Sequence, residues 1–194
     1  MSEQPLILIK GERIPSHCPP RVYLSPAAHL HPPRCACPGC SENAHANRYL
    51  DELTRYLTAC GICWQRADPA ARGAEAVRRA VAESNAFAAD LHYAVHTVAD
   101  GGQGTCPVVR AEDRVLAEVL LRERRRVYPG DARIFICDGL YEGVHTHAPC
   151  LYDRLVHHED RADARFLHEH FRELAAATAK SFCALFGLPF REPE

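Results

Sequence analysis

The sequence has no long apolar run, no excess of one charge and no low-complexity segment, and each absence removes a class of protein. No stretch is long enough to span a bilayer as a helix. The short apolar segment Leu6-Ile7-Leu8-Ile9 has no basic stretch before it and no small-residue cleavage pattern after it, so it does not read as a secretory signal. A formal charge of −2 gives no electrostatic basis for nucleic-acid binding. The basic run at residues 122–126, interrupted by Glu123, is expected to be the solvated face of a helix. No internal repeat or linker divides the 194 residues, which suffice for one well-buried core.

What is present is ordinary globular composition, 47% hydrophobic and 25% charged, with ten cysteines and twelve histidines added. Without an export signal, the cysteines read as reduced thiols or metal ligands sooner than as a disulfide framework. Synthesis in the cytoplasm follows, with any release by a non-classical or phage-mediated route. The sequence does not state an oligomeric state.

Strand and helix signals alternate. The spacing predicts a strand at residues 22–24, halted by Ser25-Pro26 because proline lacks a ladder donor. A loop rich in Pro, Cys and Gly covers 27–41. A helix then begins near Glu42, with Leu50, Leu53, Tyr56 and Leu57 at helical spacing, and stops before Gly61. Further strands are expected at 62–65, 90–97, 105–109, 134–136 and 148–152, and helices at 70–87, 113–128 and 161–186. In residues 91–96, Leu91, Tyr93 and Val95 alternate with His92, Ala94 and His96, which places the two sets on opposite faces. This is the pattern of a single α/β domain, a mostly parallel central sheet flanked by helices on both faces. It is assigned to residues 21–190, after an N-terminal extension of residues 1–20.

In such sheets ligands gather beyond the carboxyl ends of the strands. His29, His96 and Asp153 lie at such ends, and Glu42 opens the first helix. Two histidines and a glutamate that leave one coordination position open form a donor set of catalytic zinc. Separately, Cys35, Cys37 and Cys40 put three thiols in the Pro-rich loop, where a second, structural metal would pin a segment with few backbone hydrogen bonds. Cys18, Cys60 or Cys63 could complete four ligands, and free thiols or disulfides remain the alternative. Cys60-Gly61-Ile62-Cys63 has a redox spacing but runs into a strand, which argues against a thioredoxin-like role.

Three segments carry a resemblance: Val22-Tyr23-Leu24-Ser25-Pro26; Glu83-Ser84-Asn85 followed by residues 90–96; and Thr146-His147-Ala148-Pro149 through Ala164. In order and separation they resemble the successive motifs of the zinc-dependent N-acetylmuramoyl-L-alanine amidases (amidase type 3), of which the chain looks like a divergent member. Phe186-Gly187-Leu188-Pro189-Phe190 resembles that family's C-terminus. The resemblance implies hydrolysis of the amide between N-acetylmuramic acid and L-alanine in peptidoglycan, with Zn2+ as cofactor and a peptidoglycan or muropeptide substrate. It implies His29, Glu42 and His96 as ligands, with Asn43 or His45 as alternatives to Glu42. The family's general-base glutamate falls on Arg154, which cannot accept a proton. Asp153 beside it becomes the expected catalytic residue, provided that a bulge or the strand's end re-aims it. Val98 and Val144 also depart from the family pattern. The competing expectation is an amidase-like pseudoenzyme that binds metal and cell-wall fragments, or a protein partner, without cleaving.

Overall fold

A computed structural model describes residues 13–32 and 35–194; the apolar segment Leu6-Ile7-Leu8-Ile9 and most of the N-terminal extension lie outside the described residues. The elements follow one another as β1 (Arg21–Pro26), α1 (Glu42–Ala59), β2 (Cys63–Arg66), α2 (Ala74–Ala86), β3 (Leu91–Val98), β4 (Cys106–Val109), α3 (Arg114–Arg124), β5 (Phe135–Ile136), α4 (Tyr141–His145), β6 (Cys150–His157), α5 (Arg161–Glu169) and α6 (Phe171–Phe186). They build one sheet of six strands in the order β2-β1-β3-β6-β4-β5. Every pairing is parallel except β4 with β6. The expected α/β architecture, mostly parallel with helices on both faces, is the one observed.

Alternation along the central strands sorts side chains between the two helical layers. Tyr93 of β3 bonds Tyr49 of α1, whereas its neighbour His92 bonds Glu142 of α4 on the other face. Likewise Tyr23 of β1 reaches Glu83 of α2, while Val22 and Leu24 enter the core beneath α1. Helices α1, α3 and α6 pack together on one face. Leu50, Leu53 and Leu57 of α1 are fully buried there, against Leu174, Phe182 and Leu185 of α6 and Leu116 and Leu120 of α3. At about 25 cal/mol per Å2 of apolar surface removed from water, each such leucine contributes roughly 1.5–3 kcal/mol, which makes this face the main source of stability. Helix α1 starts where it does because Ser41, in extended geometry, accepts from the Ala44 amide. That cap fixes Glu42 in the first turn.

The structure departs from the sequence expectations in several places. The basic run is not uniformly solvated: Arg124 is fully buried and forms a bidentate ion pair with Asp153. A charge in the core is tolerated because every guanidinium N–H of its two terminal nitrogens can find an oxygen there, including Thr105 and Thr178. The final helix is two helices, because His170 leaves helical backbone at φ −128° and ψ 27°. This lets α5 pack on β6 while the apolar stripe of α6 turns to α1 and α3. Helix α2 begins at Ala74, after Pro69 and Gly73 have broken the pattern, and the short α4 was not foreseen. Of the N-terminal extension, residues 13–20 dock on the domain through Ile14 N–H to the Leu185 carbonyl and His17 to Asp90.

Candidate metal centre

The C-terminal ends of β1 and β3 and the N-terminus of α1 meet at one edge of the sheet. The loop after β1 carries His29, the first turn of α1 carries Glu42, and β3 carries His96 just before a register irregularity. Glu42 is 3% exposed and joins the other two: its Oε2 lies 3.1 Å from His29 Nε2 and its Oε1 lies 2.8 Å from His96 Nδ1. The Thr97 amide donates to the same Oε1 at 3.3 Å. Burial pushes the Glu42 carboxyl up. The His96 hydrogen bond, the adjacent His96 and His29 charges and the Thr97 amide outweigh burial and hold it below the usual glutamate range. The group is therefore poised as an anion.

The three ligand atoms lie within 4.8 Å of one another. Around a tetrahedral zinc with bonds of about 2.0–2.2 Å, neighbouring donor atoms stand roughly 3.3 Å apart. The separations of 2.8 and 3.1 Å between Glu42 and the two imidazoles are close to that value, so small shifts would fit the set to one ion. His29 is 43% exposed in its side chain, which opens the cluster to solvent on one side.

The two alternatives to Glu42 occupy other places. Asn43 clamps the backbone of His29 in both directions: its Oδ1 accepts from the His29 amide at 3.1 Å and its Nδ2 donates to the His29 carbonyl at 2.8 Å. His45 turns toward α5, where its Nε2 lies 3.2 Å from His168 Nε2. Asn43 thus positions the loop that carries His29. With zinc bound at this cluster, replacing Asn43 with Ala should lower its affinity by about tenfold, a loss typical of outer-shell supports, with competitive chelator titration as the measurement.

Asp153 is not brought to the cluster. It pairs in register with Val95, on the face of α1, α3 and α6, and is fully buried. Arg124 holds both carboxylate oxygens at 2.6 and 2.5 Å, and the Tyr93 hydroxyl donates to Oδ2 at 2.5 Å. No bulge turns it: β6 remains regular through the Asp153 and Arg154 pairings, and the irregularity falls after them. Arg154, the register partner of His96, points to the same side as His96 and lines an open groove with Asp100, Gly102, Arg133 and His157. Tyr152, two residues earlier, stacks on His96 with ring centroids 4.2 Å apart and planes 16° apart. Burial and the nearby Glu142 and Glu42 carboxylates push its phenol up, so it stays protonated as a donor.

Tyr152 was not singled out from the sequence, although the period of two from Arg154 carried the signal. Glu142, also unforeseen, sits on the His96 face, where it accepts from Ser25 at 2.6 Å and meets His92 Nε2 at 3.1 Å. Burial pushes this carboxyl up, but His92, His96 and Ser25 hold it below the usual range. Of the cysteines, Cys60 lies by Cys183 and the Arg191 backbone, away from the Pro-rich loop, and Cys18 and Cys63 are exposed. Cys35 and Cys37 approach His168, and Cys40 approaches His45 and His168.

No protein-family model and no curated protein sequence matches the chain. Solved structures do. The N-acetylmuramoyl-L-alanine amidase AmiC2 of Nostoc punctiforme superposes with a TM-score of 0.75 at 15% identity, covering 86% of this chain and 96% of that one. The catalytic domain of the amidase CwlV from Bacillus (Paenibacillus) polymyxa var. colistinus gives 0.76 at 10% identity, over 87% and 98%. The amidase Ami1 from Mycobacterium smegmatis gives 0.74 at 13%, over 87% and 97%. Identities this low speak to the fold and not to the chemistry, and the chain has the fold of the N-acetylmuramoyl-L-alanine amidases.

Proposed function

We propose that the chain is a zinc-dependent peptidoglycan amidase in its metal half and a depleted one in its proton-transfer half: it binds Zn2+ and the N-acetylmuramoyl-L-alanine junction and cleaves that amide slowly. The observation that carries this reading is Glu42 bridging His29 and His96 at the carboxyl edge of an amidase-type sheet. When bound, zinc polarises a substrate carbonyl and makes water a stronger acid at neutral pH. The chain's own residues do the rest. Glu42 fixes both imidazoles, Tyr152 braces the His96 ring, and Arg154, on the same face, offers a guanidinium to an anionic oxygen of substrate. The position across from His96 that would hold a proton acceptor holds this cation instead, and the nearest carboxylate in sequence, Asp153, is committed to Arg124. A positioned general base contributes about 100- to 10,000-fold, which is the loss expected here.

A second reading rests on the same Arg154 and Asp153 placement: a protein that holds metal and wall fragments without cleaving them. Zinc analysis of the purified chain, then muropeptide hydrolysis with and without chelator, separates the two. The amidase reading expects one zinc lost on substituting His96 with Ala and slow hydrolysis that chelator stops and Zn2+ restores. Muropeptide binding at that zinc with no turnover would leave the second reading standing. Failure of the chain to take up any metal would end both.

A further inference from the structure

A second cluster of metal-type donors lies where the loop after β1 meets α1 and α5. Cys40 Sγ and ring nitrogens of His45 and His168 fall within 4.8 Å of one another, and Cys35, Cys37 and His168 form another such set, so His168 belongs to both. His45 is 1% exposed, and its Nε2 faces the Nε2 of His168 at 3.2 Å. Only one proton fits between the two Nε2 atoms, and whichever ring donates it, His45 Nδ1 stays buried with no partner. His158, fully buried with its ring centroid 6.0 Å from that of His45, has neither ring nitrogen paired. Buried polar atoms are seldom left this way in a finished core.

A cation accounts for the close approach of the two ring nitrogens, although His45 Nδ1 and the His158 nitrogens are not among its donors. Two imidazole nitrogens on one tetrahedral zinc stand roughly 3.3 Å apart, close to the 3.2 Å seen here. The Cys37 amide donates to Cys35 Sγ at 3.3 Å, so the loop's own backbone holds a soft sulfur donor beside His168. We propose that this cluster is a second zinc site, held by His45, His168 and Cys40 with a thiolate of Cys35 or Cys37 as the fourth ligand. It is a closed, structural site, distinct from His29, Glu42 and His96. The ordering it supplies is local. Among the described residues of 27–40, the backbone bonds to other elements are Ala27 N–H to the Val95 carbonyl, Gly73 N–H to the Ala28 carbonyl and Ala36 N–H to the His158 carbonyl. A metal shared with α1 and α5 fixes the segment that carries His29 toward Glu42.

The test uses the whole chain in reducing buffer, with zinc counted by elemental analysis and Co2+ as a spectroscopic replacement. The proposal expects two metal equivalents and a thiolate-to-cobalt charge-transfer absorption, which the nitrogen and oxygen donors of the His29 cluster cannot produce. Cys40→Ser and His168→Ala should each remove one equivalent and that absorption, whereas His96→Ala should remove one equivalent and leave the absorption intact. His168 is only half-buried on α5, so its substitution tests the site even where Cys40→Ser folds poorly. A wild-type chain without the absorption, or an absorption and zinc count unchanged in His168→Ala, overturns the proposal. Loss of the His96-dependent equivalent alone bears on the amidase reading and not on this one.

Discussion

Replacing Arg154 with Glu should raise muropeptide hydrolysis by about 100- to 10,000-fold, the contribution of a placed general base. The position is the one to convert, because Arg154 is paired in register with His96 and both side chains rise from the same face of adjacent parallel strands. A carboxylate there would rise on the same face of the sheet as the Glu42-bridged His96. The same substitution at Asp153 would gain nothing, since that side chain points into the opposite helical layer. The measurement is the rate of peptide release from a muropeptide at fixed zinc, with zinc content checked in both proteins. A variant that keeps its zinc and shows no gain would mean that more than the base has been lost, and would favour binding without cleavage.

How far this site was legible in the sequence depended on whether local or non-local physics placed each group. His29, Glu42 and His96 could be picked out because each lies at the end of an element with a local signal (proline after β1, the start of helical spacing near Glu42, strict alternation along β3) and because the family resemblance combined them into one set. The adjacency of Asp153 and Arg154 was also readable, since strand alternation puts them on opposite faces. Which face each would take was not, because that depends on a partner 29 residues away in sequence, Arg124. A run of arginines on a helix looks solvated until a carboxylate on the sheet beneath draws one of them inward. His168 escaped notice for the same reason. Nothing near it in sequence announces that α5 will bring it to His45 of α1, 123 residues earlier.

The fold was more legible than the site because hydrophobic periodicity repeats over many residues, whereas a site rests on single ones. Strands at 22–24, 90–97 and 148–152 were placed by apolar runs and their flanking breakers, and β1, β3 and β6 are indeed adjacent at the sheet's centre. The strand signal at 148–152 stopped short of the observed end at His157, because charged Asp153 and Arg154 interrupt its apolar pattern. Tertiary pairing overrode that local reading: the β3 ladder holds residue 153 to 154 in register, and Arg124 neutralises the charge that faces the core.

Replacing Arg124 with Met while Asp153 remains should destabilise the domain by about 3–5 kcal/mol, because it strands a carboxylate in the core. The network makes the cost specific. Asp153 would keep the Tyr93 hydroxyl, itself linked to Tyr49 and through it to Thr178, but would lose both guanidinium bonds and the fully buried Arg124 cation beside it. In a chain of this length the shift corresponds to roughly 6–20 °C in melting temperature. Pairing Arg124→Met with Asp153→Leu should recover most of the loss, since removing both charges also removes the desolvation cost of each. Thermal unfolding of the two single variants and the double variant gives the coupling directly. Additive single effects would show that Arg124 and Asp153 do not act as a unit. Recovery in the double variant would instead identify Asp153 as a structural carboxylate, and would leave the position across from His96 as the place where the chemistry of this sheet edge is decided.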